Sequence, residues 1–183
     1  MKADTAILVM DLKDSFLTML PGSESIKKNA ALVLDKARSA GWPVIYIKPE
    51  FREGTPELHA DNKFLSFVKD RMDRAGGNPG DSFSAEIAPR SGDFVITKKR
   101  ISAFCGTELE ILLRSQGIRH LVMMGVMASG AVLSTVRDAA DRDYRITVIS
   151  DACGDADQEV FRVLMEKIFP VQAEIITASQ LKI

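Results

Sequence analysis

The sequence predicts a three-layer α/β/α fold, a six-stranded and mainly parallel sheet with helices on both faces, and three observations carry that expectation. Short apolar runs alternate with segments of helical period along the whole chain. Such alternation joins strands through right-handed crossovers and so makes them parallel. The first run, Thr5–Met10, is continuously apolar in character, as a strand covered on both faces must be.

Each element follows in order. After Thr5–Met10 comes Asp11, and then Ile26, Ala30, Val33, Leu34 and Ala37 recur at helical spacing up to Gly41, a residue suited to ending a helix. Pro43 to Ile47 is the second strand. From Lys48 to Arg90 the pattern loosens around Pro49, Gly54, Pro56, Gly76, Gly77, Pro79 and Gly80, with one short helix expected at Phe64, Leu65 and Phe67. Asp93–Thr97 is the third strand, followed by Lys98. Thr107 and Glu110 have the spacing of a capping box ahead of Leu109, Leu112 and Leu113, a helical face ending near Gly117. His120–Met124 is the fourth strand, Arg145–Ile149 the fifth and Ala173–Thr177 the sixth, with a helix marked by Val160, Phe161, Leu164, Met165 and Ile168 between the last two.

The 183 residues, 46% hydrophobic and 27% charged, suffice for one core, and no repeat, low-complexity tract or long linker divides them. Residues 1–183 are therefore read as a single domain. A formal charge of −1 supplies no basic face for nucleic acid or an acidic membrane. No apolar run approaches the roughly 20 residues that span a bilayer, and no signal-peptide pattern opens the chain, so a cytoplasmic protein is expected. Cys105 and Cys153 are too few for a disulfide framework and are read as reduced, buried thiols.

Parallel strands end at one edge of their sheet, and ligands bind in the crevice there. That edge is expected to gather Asp11 after the first strand, Lys98 after the third, and the small-residue turn Gly125–Ala131 after the fourth. A carboxylate, an ammonium and a helix N-terminus in one crevice point to acid–base or electrostatic chemistry on a small molecule. Ser129 is expected to cap the helix that follows, and the hydroxyls of Ser134 and Thr135 to bond back to the preceding turn. His59, in the irregular region, and His120, at a strand start, have no metal-ligand spacing, so neither metal nor cofactor is expected.

Ile7-Leu-Val-Met-Asp-Leu-Lys-Asp-Ser-Phe16, Lys98-Lys-Arg-Ile-Ser-Ala-Phe-Cys-Gly-Thr107, the stretch from Gly125 to Tyr144, and Val148-Ile-Ser-Asp-Ala-Cys153 resemble, in order, the motifs of the isochorismatase-like hydrolases, or cysteine hydrolases. The resemblance implies their Rossmann-like fold, dimers or tetramers, and action on a small molecule. It also implies an Asp, Lys and Cys acting together on amides or carbamoyl groups, with a non-proline cis peptide just before the Cys. Position by position these fall on Asp11, Lys98, the Val126–Met127 bond and Ala131. Alanine is no nucleophile, and covalent catalysis requires one.

Neither Ser129, Ser134, Cys105 nor Cys153 is placed to take the thiol's part. Phe16, Val126, Met127, Gly130 and Ala131 are expected to bind substrate, with the N–H groups of Gly130 and Ala131 open to an oxyanion or carboxylate. Trp42 is expected to pack at the start of the second strand, and Val163 and Phe169 to leave apolar surface for a homodimer or homotetramer. Three readings follow. One is a cysteine-independent hydrolase of isochorismatase type, acting on a small anionic molecule through Asp11 and Lys98, as the family's enol-ether hydrolases do. Another is a silent member that binds a metabolite or serves assembly. The third is an amidohydrolase whose cysteine has been exchanged for alanine.

Overall fold

The computed structural model describes residues 4–74 and 82–183, without the side chains of 71–74. The first three residues and the breaks expected at Gly76, Gly77, Pro79 and Gly80 lie outside the described residues. Six strands form one sheet: β1 (Thr5–Met10), β2 (Val44–Pro49), β3 (Phe94–Lys98), β4 (His120–Gly125), β5 (Arg145–Cys153) and β6 (Glu174–Ile176). Their order is β3-β2-β1-β4-β5-β6 and every pairing is parallel.

All six β1 residues are buried, and their neighbours β2 and β4 are buried over most of their length. Each large aliphatic side chain so covered contributes about 1.5–3 kcal/mol relative to exposure, which places the sheet centre at the heart of the core. The helices are α1 (Asp14–Leu17), α2 (Ser23–Ser39), α3 (Lys63–Arg74), α4 (Leu109–Gln116), α5 (Leu133–Ala140) and α6 (Gln158–Val163). Right-handed crossovers leaving the sheet centre in opposite directions put α2 on one face and α4 and α5 on the other. Gly41, left-handed at φ 69°, stands just past the end of α2 as expected. Among the described residues no helix is long and apolar enough to cross a membrane.

Some expectations are corrected. Thr107 and Glu110 form no capping box: the Thr107 hydroxyl accepts the Leu109 N–H at 3.2 Å and donates to Ala103 O, while Glu110 turns outward to Arg114 and Arg142. β5 runs four residues past Ile149, because a register shift beside Met123 and Gly125 lets Cys153 pair with Gly125. Ser150 and Asp151 interrupt the apolar run there and hide the continuation from a reading of periodicity. The helix expected up to Ile168 is regular only through Val163 and then widens into a π-helical turn, Leu164–Ile168. Phe169 is fully buried and contributes nothing to an exposed face, and Val163 is half-buried. Cys153 is buried as expected but Cys105 is exposed, in the loop after β3.

The C-terminal end is held from α2. The Lys36 ammonium donates to the carbonyls of Ala178, Ser179 and Leu181, at 2.8–3.1 Å, so the last residues fold back on the sheet without a long element of their own.

The strand order reverses between β1 and β4, which leave the sheet centre toward opposite edges. At their ends Met10 is in register with Gly125, and Val126 N–H donates to Met10 O at 3.0 Å. Gly125 has φ 144°, and a Cβ there would overlap the Met10 carbonyl. Only glycine lets the two backbones pass. Gly125→Ala is accordingly expected to destabilise the protein by about 3 kcal/mol or more, read as a fall in the urea midpoint with an unchanged m-value.

Candidate active site at the β1–β4 switch point

Asp11 follows β1 in the left-handed region, φ 54°, a conformation that aspartate tolerates better than most residues. Its N–H still donates to Ile47 O at 3.0 Å and its carbonyl accepts Lys13 N–H at 2.8 Å, so the chain bends out of the sheet at this residue. Lys98 ends the edge strand β3 and reaches across the end of β2. Its Nζ lies 2.8 Å from Asp11 Oδ2 and donates to Ile101 O at 3.0 Å. Both residues are buried, Asp11 at 7% and Lys98 at 4% exposure.

The other oxygen, Asp11 Oδ1, is buried with no hydrogen-bond partner among the described residues. Leaving a buried carboxylate oxygen unpaired costs about 1–3 kcal/mol or more. Burial raises the Asp11 pKa above the ordinary aspartate value of 3.8, against the opposing pull of the Lys98 and Lys13 ammonium groups. The carboxyl therefore holds its proton to higher pH than an exposed aspartate.

The turn after β4 completes the crevice. The Val126–Met127 peptide is cis, at the position the family resemblance implies. Val126 is fully buried, Met127 packs half-buried against the core, and the π-helical turn Ala128–Val132 carries Gly130 and Ala131 into α5. Ala131 is 5% exposed. Above Gly130 lies the α3 side chain Phe64, whose ring edge would stand 3.8 Å from a Cβ at that glycine. Phe16, on α1, packs half-buried against the core.

Two N–H groups of the turn, those of Gly130 and Ser129, are engaged differently from expectation. Gly130 N–H donates to Met127 O at 3.0 Å and is not open to a ligand. Ser129 does not cap the helix with its side chain: the residue is exposed, and its N–H is instead taken by Asp155 Oδ2 at 2.7 Å. The Thr135 hydroxyl accepts Ala103 N–H at 3.0 Å, which binds α5 to the loop after β3 rather than to its own preceding turn. Ser102 Oγ to Asp138, at 2.6 Å, is a second tie of the same kind. The loop that follows Lys98 is thus tied to the helix that follows Ala131.

Two site residues escape a reading of the sequence alone. Lys13 is buried beside Asp11, two positions along the chain, where a lysine ordinarily signals solvent. Asp155 lies two residues beyond Cys153, and only the β4–β5 register shift brings it to the turn. His59 sits in the exposed loop near Asp61, and His120 lies between the Thr5 and Thr147 hydroxyls at the far edge of the sheet. Neither approaches Asp11 in the described hydrogen bonds and ion pairs.

The isochorismatase domain model matches residues 5–180, nearly the whole chain. The protein belongs to the isochorismatase family. Among its relatives, the ureidoacrylate amidohydrolase of Variovorax paradoxus is 30% identical over 173 residues, covering 82% of this chain and 68% of its own. An isochorismatase family protein of Bacillus subtilis is 28% identical over 188 residues, with 98% and 97% covered. Among solved structures, the isochorismatase family protein of Desulfovibrio vulgaris superposes with a TM-score of 0.81 at 26% identity, over 96% of this chain and 95% of that one. The fold of an isochorismatase-family hydrolase is therefore established, with Ala131 in the turn where the family resemblance places a cysteine.

Two measurements check this geometry. Asp11, followed by carboxyl-carbon NMR, is expected to titrate above 3.8, and in Lys98→Met, with the opposing ammonium gone, higher still. In the native protein a thiol reagent is expected to modify Cys105, whereas Cys153, whose pKa burial pushes up to about 12, reacts only on unfolding.

Proposed function

We propose that this protein is a cysteine-independent hydrolase of a small metabolite, with Asp11 as general acid and Lys98 as its electrostatic partner. The observation that carries the proposal is the unpartnered Oδ1 of Asp11, a buried carboxyl oxygen with bonding capacity to spare at the end of β1, beside Lys98. Ala131 removes the thiolate on which amide hydrolysis through an acyl-enzyme depends. A relative's name, ureidoacrylate amidohydrolase, therefore describes chemistry for which this chain lacks the nucleophile.

An enol ether suits the residues present. Protonated Asp11 gives its proton from Oδ1 to the terminal vinyl carbon, and the C=C electron pair forms the new C–H bond while the ether oxygen stabilises the cation. Water adds to that cation, loses a proton, and the hemiketal breaks its C–O bond to give a carbonyl compound and an alcohol. Lys98, already 2.8 Å from Oδ2, stabilises the carboxylate left on Asp11. Phe16, Val126, Met127, Gly130 and Ala131 form the walls against which the substrate rests. Assembly as a homodimer or homotetramer belongs to the same reading, and light scattering in solution tests it.

Against a panel of enol ethers that includes isochorismate, Asp11→Asn is expected to lower kcat by about a thousandfold, while Cys105→Ser leaves it unchanged. The rate depends on protonated Asp11, so it is present below the raised Asp11 pKa and is lost as pH rises through it. Ligand binding without turnover anywhere on the panel would replace hydrolysis by metabolite binding. Amidase activity appearing in Ala131→Cys would assign the site to an amidohydrolase lacking its cysteine.

A further inference from the structure

The loop after β5 grips the candidate site by three successive contacts. Gly154 N–H donates to Gly125 O at 3.4 Å, Gly154 O accepts Ala128 N–H at 2.8 Å, and Asp155 Oδ2 accepts Ser129 N–H at 2.7 Å. Asp155 is 5% exposed, and its second oxygen accepts Asp157 N–H at 3.4 Å. Among the described residues no Lys, Arg or His forms an ion pair with it. This buried carboxylate is therefore balanced by backbone N–H groups, that of Ser129 at the start of the helical stretch Ala128–Ala140 and that of Asp157.

We propose that Asp155 is a positioning and specificity-determining residue: it fixes the reactive turn through Ser129 and gives the helix N-terminus an internal anion, so that the turn accepts an uncharged group of the ligand and rejects a carboxylate. The expectation of an anionic ligand at the turn presumes a positive helix end with open N–H groups. Here Ser129 N–H is held by Asp155 and Gly130 N–H by Met127. Ala131 lies two residues beyond Ser129, about 3 Å along the helix axis. A ligand carboxylate there meets a fixed like charge, whereas an ether or amide oxygen does not.

The proposal rests on the reading that the ligand lies on this turn beside Asp11, but its test needs no turnover. Benzamide and benzoate, of nearly equal shape and different charge, are titrated into the wild-type protein and Asp155→Asn at pH 7. Affinities and the turn residues involved are read from backbone amide shifts of Val126–Ala131. The wild-type protein is expected to favour benzamide, and Asp155→Asn to shrink that preference by about tenfold as benzoate gains. A purely structural role would weaken both probes alike and leave their ratio intact. Asp155→Glu, which keeps the charge, is expected to keep the preference.

An unchanged ratio in folded Asp155→Asn overturns the proposal. So does a wild-type protein that takes benzoate as tightly as benzamide, or that shows neither probe at the turn, and these outcomes stand whether or not the variant folds. Absence of enol-ether hydrolysis in the wild-type protein, with the benzamide preference present and diminished in Asp155→Asn, would count against Asp11 chemistry and not against Asp155.

Discussion

Where β1 and β4 part, a backbone carbonyl sits against a glycine. Met10 O accepts the Val126 N–H and fills the space a side chain at Gly125 would need. This contact sets the separation of the two central strands at the point where the sheet order reverses, the place where open α/β sheets bind their ligands. Asp11 is the next residue on one side, and Val126 with its cis peptide the next on the other. The site is thus an outcome of strand pairing before it is an outcome of chemistry.

The crevice is held by ties that converge from four directions. β3 delivers Lys98 to Asp11, the loop after β3 is fastened to α5 through Thr135 and Asp138, the loop after β5 holds Ser129 and Ala128, and α3 lays Phe64 over Gly130. None of these is a surface ion pair of the kind that contributes little. Asp11 and Lys98 are both out of water, and a buried pair has a desolvation cost that its attraction only partly offsets. The unpartnered Oδ1 adds to that cost. Burial raises the pKa of that carboxyl above the ordinary aspartate value, and perturbed carboxyls gather where chemistry is done.

Substitution at one position changes what the same scaffold can do. With a thiol at the turn, nucleophilic attack would begin there; with Ala131, no covalent attack does. Asp155 then alters the electrostatics of the turn in the same sense, because the helix start already carries a carboxylate. At the end of β1, Asp11 and two lysines, Lys98 and Lys13, lie together.

The parallel fold, the six strands and the convergence of Asp11, Lys98 and the Gly125–Ala131 turn were legible in the sequence, because apolar periodicity fixes which faces are buried and parallel strands share one edge. The motifs likewise located the cis peptide bond. Tertiary structure alone decided which partner each polar group takes. Ser129 and Thr135 look like local caps in sequence, yet their bonds go to Asp155 and Ala103, about a full element away. Phe169 and Cys105 exchanged the exposures expected of them for the same reason: burial depends on what packs above a residue, not on its own period. Lys13 and Asp155 were invisible as site residues, since a charged side chain carries no periodic signal and only the register of β4 against β5 and the bend at Asp11 bring them inward.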